Sequence, residues 1–220
     1  MKKFLLPTLS LVGVLVGAAS AQTADEIVDR FTAAQKNVKD YSFKLAGTAT
    51  FDGGSQKLDL DVRAIPASNL ARIQFNAPDA LADNIIVADK TTISTYLYLT
   101  NQITVQTVRG GDAGGLLNFD FSQIANASQL LSDNYNVRLI DTSGAAGGRT
   151  FVLEATAKDG GSSRTRITLA ERGWTPTRIQ LLNAAGRVTT DLTISNYKTN
   201  AGLTAARLRA LPRDAEIVRR

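Results

Sequence analysis

Tyr41-Ser42-Phe43-Lys44-Leu45-Ala46-Gly47-Thr48-Ala49-Thr50-Phe51 is the stretch whose reading decides the fold. Tyr41, Phe43, Leu45, Gly47, Ala49 and Phe51 point one way, and Ser42, Lys44, Thr48 and Thr50 point the other. A period of two with apolar residues on one side marks a β-strand with one buried face. Asp52-Gly53-Gly54 then makes a hairpin turn, and Leu58, Leu60, Val62 and Ala64 continue the alternation on the returning strand.

Outward from this hairpin the chain reads as more of the same. Strands are expected over Leu70 to Phe75, Asn84 to Ala88, Thr91 to Leu99 and Gln102 to Val108. A second block runs through Tyr135 to Asp141, Thr150 to Ala157, Arg164 to Leu169, Thr175 to Leu182 and Arg187 to Tyr197. Asn101, Gly147-Gly148, Gly160-Gly161 and Ala185-Gly186 supply turns between them. About eleven short strands without a βαβ rhythm predict a mainly β fold in which sequence neighbours pair antiparallel through tight turns.

Two segments break the β pattern. Before the first strand, Thr23 and Glu26 form a capping box, with Asp25 and Glu26 in the first turn of a helix. Ile27, Val28, Phe31, Ala33, Ala34 and Val38 make its apolar stripe. Between the two β blocks, Gly110-Gly111-Asp112-Ala113-Gly114-Gly115 reads as a hinge. Leu116, Leu117, Phe119, Phe121, Ile124, Leu130 and Leu131 follow it, with a short helix expected over Ser122 to Leu131. That segment is either a flap over a surface or a plug at one end of the β structure. No repeat or linker divides residues 22–220, so one domain is expected.

Residues 1–21 read as a cleavable export signal. Lys2 and Lys3 give the positive start, Phe4 to Ala18 is almost unbroken apolar, and Ala19-Ser20-Ala21 is a small-x-small cleavage site. The apolar run is too short for a comfortable membrane span. The protein is expected to work as a soluble, unanchored resident of an extracytoplasmic space. The formal charge of +5 includes both signal lysines, and Arg207, Arg209, Arg213, Arg219 and Arg220 concentrate positive charge near the end. Such a tail can make transient contact with an anionic membrane or an acidic partner; the balance is too modest for a nucleic-acid binder.

The chain has no cysteine and no histidine. Disulfides, thiolate metal sites and the usual general base are therefore excluded, as is a Ser-His-Asp arrangement. The glycine cluster lacks the Gly-Lys-Ser/Thr and βαβ setting of a phosphate loop. Asn126-Ala127-Ser128 matches a glycosylation acceptor only by a short motif. Asp59 and Asp61 share one face of a strand, where they keep an outward surface wet or, in a minor reading, form a hydrolase pair. No enzyme, metal or cofactor is expected. The apolar residues point elsewhere: a sheet of this size curled into a partial barrel leaves either a packed core or an apolar cavity. At about 0.8 kcal/mol per buried CH₂, one long acyl chain would bring on the order of 10 kcal/mol of driving force to such a cavity.

Several stretches resemble the LolA/LolB-like outer-membrane lipoprotein carrier family. Ala24-Asp25-Glu26-Ile27-Val28 leading to Val38-Lys39-Asp40-Tyr41-Ser42-Phe43 is similar to that family's first helix-to-strand step. Ile85-Ile86-Val87-Ala88-Asp89-Lys90, Tyr96 and Gln102-Ile103-Thr104-Val105 resemble one of its hairpins. Pro176-Thr177-Arg178-Ile179, Gly186-Arg187-Val188-Thr189-Thr190, Asn196-Tyr197-Lys198-Thr199-Asn200 and Leu211-Pro212 follow in the family's order. Two departures are visible: Lys90 stands where a glycine is usual, and Arg63 is displaced from Pro66, where the family joins a lid-latching arginine to a proline. Arg72 is the other candidate latch.

The resemblance implies an unclosed antiparallel β-barrel of about eleven strands with an N-terminal helix and a short helical lid. It further implies a periplasmic carrier of lipoprotein acyl chains, or of another lipid, between an inner-membrane release complex and an outer-membrane acceptor. Without a cysteine to be lipidated, this chain falls on the soluble, shuttling side. An alternative within the same architecture is a lipid-sensing or protein-binding module of an envelope stress or assembly complex. Phe43, Leu45, Leu60, Ile73, Phe75 and Leu97 are the expected cavity liners, joined from the lid by Leu116, Leu117, Phe119, Ile124 and Leu131.

Overall fold

The alternation that opens the chain's β region becomes β1 (Tyr41–Phe51), one of the two longest-paired strands of the sheet, in a computed structural model describing residues 22–51, 54–107, 135–158 and 164–219. It pairs along its length with β2 (Gly54–Ile65), from Tyr41 opposite Ala64 to Phe51 opposite Gly54. The chain continues through β3 (Leu70–Ala77), β4 (Ile85–Ala88), β5 (Thr92–Leu97) and β6 (Gln102–Thr107). After residue 134 come β7 (Tyr135–Ser143), β8 (Thr150–Ala157), β9 (Arg164–Ala170), β10 (Thr175–Leu182) and β11 (Val188–Thr199). All eleven expected strands are present. The segment expected as Thr91 to Leu99 leaves the ladder at Leu97, because Tyr98–Thr100 tightens into a 3-10 turn closed by Asn101 in the left-handed region.

A twelfth strand, β12 (Glu216–Arg219), lies parallel to β6. The sheet order is β12-β6-β5-β4-β3-β2-β1-β11-β10-β9-β8-β7, so β12 and β7 stand at its two ends and the barrel is unclosed. β1 and β11, far apart in sequence, are neighbours and join the two blocks. Direct partners in an antiparallel ladder share a face. One apolar row therefore runs through Leu139, Leu153, Ile167, Ile179, Leu192, Gly47 and Leu58. The opposite, outer face carries Arg138, Glu154, Arg166, Gln180, Asp191 and Thr48 along the adjacent row.

Helix α1 (Ala24–Gln35) has the expected capping box: Glu26 N–H donates to Thr23 Oγ1 at 3.2 Å and Thr23 N–H to Glu26 Oε2 at 3.3 Å. Its buried stripe is narrower than expected. Ile27, Val28 and Phe31 are buried, but Ala33 and Ala34 are exposed and Val38 lies beyond the helix. The buried stripe of α1 packs over β7–β9, on Phe151, Leu153, Ala155 and Leu169.

The Arg-rich end is not merely a charged tail. Thr204 caps a short helix, α2 (Ala205–Arg209), whose Leu208 is buried with Leu70, Ile85, Val87, Tyr96 and Ile103 on the outer face of β3–β6. Arg207, Arg209, Arg213 and Arg219 point outward and are exposed, Arg209 pairing with Asp89 at 3.3 Å. No described helix is long and apolar enough to cross a membrane.

Candidate functional site

The inner face of the sheet is where the expected liners meet. Phe43, Leu45, Leu60, Ile73 and Phe75 belong to one buried cluster with Val62, Ile86, Leu192 and Ile194. Their meeting follows from register: Phe43 pairs with Val62, Val62 with Ile73, and Ile73 with Ile86, while Leu45 pairs with both Leu60 and Ile194. Leu97 is half-buried, and alternation along β5 puts it on the same face as Ile93 and Thr95. Leu116, Leu117, Phe119, Ile124 and Leu131, with the hinge at 110–115 and the glycosylation-like Asn126, lie outside the described residues.

One end of this face is aromatic. Tyr41, Phe43 and Tyr197 stack, with ring centroids 5.8 to 6.2 Å apart and planes within 20° of parallel. Tyr197 reaches the inner face because Asn196 sits in the left-handed region (φ 54) and the β1–β11 register shifts there. That bulge reverses the alternation expected from Ile194. Burial pushes the Tyr197 phenol up to about 12. Tyr41 is driven above the ordinary phenol range by burial and by Tyr197 beside it.

The same end is tied together by polar contacts. Tyr197 OH donates to Gln35 Oε1 at 3.3 Å, and Gln35 Nε2 donates to the Trp174 carbonyl at 3.4 Å. Asp40, buried just before β1, accepts from the N–H groups of Ala201, Gly202 and Leu203 at 2.7 to 3.2 Å. Lys39 N–H donates to Asn200 Oδ1 at 2.7 Å. Trp174, the chain's only tryptophan, stacks on Phe151 at 5.6 Å and receives the Arg30 guanidinium over its ring at 5.9 Å. The end of α1, the start of β1, the end of β11 and the turn before β10 are thus joined.

The inner face is built to bury apolar surface; its polar surroundings offer little for catalysis. Asp59 and Asp61 alternate with Leu58, Leu60 and Val62, which puts them on the outer face, where Asn76 Nδ2 bridges them at 2.9 and 3.1 Å. Lys44 pairs with Asp59 at 3.4 Å. Glu154, 2 % exposed on the outer face, is held by Arg138 at 2.8 Å, Arg166 at 2.9 Å and Arg164 at 3.6 Å. Burial alone would raise its pKa, but the bonds from Arg138 and Arg166 outweigh it and the carboxyl stays below its usual range. Among the described residues no group of three or more carboxylates could hold a metal ion.

A family model described as outer membrane lipoprotein carrier protein LolA matches residues 64–209. This chain belongs to the LolA family. The match begins in β2 and ends in α2, so it spans both β blocks and the join between them. No curated protein sequence matches the chain. An uncharacterized conserved protein from Thermus thermophilus has a similar crystal structure, at 23 % identity and TM-score 0.63, covering 90 % of this chain and 99 % of that one. A DUF1329 family protein from Desulfovibrio piger is similar at 13 % identity and TM-score 0.51, covering 83 % and 94 %. At such identities the likeness is one of fold.

Within this LolA-family fold neither latch candidate touches the inner face. Arg63 is exposed. Arg72 Nη1 donates to the carbonyls of Leu208 at 3.2 Å and Ala210 at 2.6 Å, fastening the end of α2 to the outside of β3. Burial first, and then neighbouring Arg63, lower its pKa. Sequence reasoning also missed inner-face residues. Ile179, Leu192, Ile194 and Tyr197 pack against the main cluster, and Phe151, Leu153, Ile167 and Trp174 form its continuation under α1. Strand alternation in β8 and β11 was a usable signal for most of them; what it lacked was the knowledge that β11 lies beside β1.

Proposed function

We propose that this protein is exported to the periplasm, loses residues 1–21, and carries the acyl chains of lipoproteins toward the outer membrane as a soluble monomer. The observation that carries this reading is the apolar row crossing the inner face from Leu139 to Leu58, together with membership of a lipoprotein carrier family. Phe43, Leu45, Leu60, Ile73, Phe75 and Leu97 form the wall that the chain lies against. Burial there is non-covalent and needs no cofactor, so transfer runs downhill, from a release complex at the inner membrane to an acceptor of higher affinity at the outer membrane. A hydrolase built on Asp59 and Asp61 is disfavoured, since those carboxylates face away from the apolar surface.

Native mass spectrometry of the protein purified from its own cell envelope tests this. A co-purified lipid or lipopeptide is the expected result. Protein free of lipid, bound instead to a protein partner that stays bound when Leu45 and Leu60 are made polar, would replace the carrier with a partner-docking module.

A further inference from the structure

The outer face of the sheet treats charge differently in different places. Over β7–β11, and further along β1 and β2, cations meet carboxylates: Arg138 and Arg166 reach Glu154, Arg178 reaches Asp191, and Lys44 reaches Asp59. Where β1 begins the pattern changes. Lys198 pairs with Ser42, Ser42 with Arg63, and Arg63 with Arg72, so one outer row across β11, β1, β2 and β3 reads Lys-Ser-Arg-Arg. Like charges directly opposite each other destabilise a sheet, yet Arg63 faces Arg72. Arg72 spends its donors on the carbonyls of Leu208 and Ala210, which fixes α2, with its exposed Arg207, over the same strands. Lys39 joins from the other side, because its N–H is held by the Asn200 side chain just beyond β11.

The acids at this end are already engaged. Asp40 is buried and accepts from the backbone of Ala201, Gly202 and Leu203. Asp89 accepts from the N–H groups of Thr91 and Thr92 and pairs with Arg209. Lys39, Arg63, Lys198 and Arg207 are all exposed, and among the described residues none of them forms an ion pair. An apolar centre, around which protein interfaces are organised, is also missing here. The exposed large apolar side chains lie elsewhere: Tyr98 and Leu99 on the turn after β5, Val188 at the start of β11, and Ile140 and Ile217 on the edge strands β7 and β12. Unpaired cations spread over several elements, with no apolar anchor among them, match a surface of diffuse negative charge and not a protein pocket.

We propose that the end of the molecule carrying Lys39, Arg63, Lys198 and Arg207 docks on a bilayer surface rich in anionic phospholipid. Long, exposed side chains reach headgroup phosphates there without any rearrangement of the backbone. The Arg-rich C-terminal stretch takes part through Arg207, on a helix pinned by the cross-strand partner of Arg63. Docking does not depend on the carrier reading, since a protein-binding module with this surface would approach a membrane in the same way.

Flotation of the purified protein with lipid vesicles tests it. Vesicles of phosphatidylcholine and phosphatidylglycerol in equal parts should carry the protein with them, and vesicles of phosphatidylcholine alone should not. Each cation close to an anionic surface contributes about fivefold to partitioning, so Arg63→Gln/Lys198→Gln should weaken binding about 25-fold. Lys39→Gln/Arg207→Gln, on different elements, should weaken it as much and keeps the test open if the first pair folds poorly. Lys57→Gln/Arg187→Gln removes the same charge from exposed positions at the opposite end of the sheet and should change binding by less than about twofold. Salt at about 1 M, where the screening length is about 3 Å, should release the protein. No binding to anionic vesicles, or equal loss in all three double variants, overturns the proposal. Protein that ignores the vesicles but binds polyglutamate through Arg63 and Lys198 overturns it too, and makes this end a docking site for an acidic protein.

Discussion

At the scale of single residues, Gly47 and Asn196 shape the inner face through the backbone. β1 and β11 approach so closely that a Cβ on Gly47 would lie 2.0 Å from the Asp191 carbonyl oxygen. The obstacle is backbone, which cannot rotate aside. Gly47→Ala is therefore expected to cost about 3 kcal/mol, the upper part of the range for overpacking, and thermal unfolding followed by circular dichroism would register it as a lowered Tm. A variant melting like the unmodified protein would mean that the two strands are free to separate. Asn196 acts through φ: a left-handed residue at the bulge turns the next side chain inward, and asparagine tolerates that conformation better than branched residues do. Alternation alone, counted from Leu192 and Ile194, assigns Tyr197 to the outside. The inner position of that ring was hidden in the sequence because a bulge is a long-range pairing event, specified by β1 as much as by β11.

At the scale of elements, the platform under α1 depends on a carboxylate. Glu171 Oε2 accepts from the N–H groups of Gly147 and Arg149 at 2.8 and 3.0 Å, and Oε1 takes Arg149 Nη2 at 2.6 Å. These bonds clamp the β7–β8 turn onto the turn that carries Trp174. The Arg149 side chain first, and then the backbone N–H groups, hold the Glu171 carboxyl down at about 2. A depressed acid stabilises the fold fully above its unfolded value of about 4.3, and that contribution disappears as pH falls through the folded value. The Tm of the unmodified protein should accordingly drop between about pH 4.3 and pH 2, and Glu171→Gln should drop less over the same window. Identical acid profiles would show that the clamp does not contribute. The C-terminal elements make a different point. Their arginines are legible as surface charge, but Leu203, Leu208 and Leu211 between them cover the outer face of β3–β6. A strongly charged stretch conceals its apolar residues until there is a surface for them to lie on.

At the scale of the molecule, the twelve strands among the described residues form one open sheet with different contents on its two faces. The outer face is polar over β7–β11, where Glu154 and Asp191 are neutralised by arginines, and is covered by the C-terminal segment over β3–β6. The inner face is apolar across both blocks. A ligand that binds the folded inner face and not the unfolded chain must stabilise the fold, by about 2.7 kcal/mol at a hundredfold excess over Kd. Adding a long-chain fatty acid should thus raise Tm and alter Trp174 emission together. A Tm rise without any change at Trp174 would place the ligand away from the α1 half of the face.

The sequence by itself determined where eleven of the twelve described strands lie, which side of the first hairpin is apolar, where α1 begins, and that neither a thiol nor an imidazole takes part. These are near-neighbour properties: alternation, turn residues and caps act over a few positions, and composition acts over none. The tertiary structure alone decided that β11 lies against β1, that Tyr197 joins Tyr41 and Phe43, that Arg72 fastens α2 and not the inner face, and that β12 completes the sheet beside β6. Each of those depends on residues far apart in the chain coming into register. Their contact energy exists only once the intervening chain has been ordered, so no local pattern can announce it.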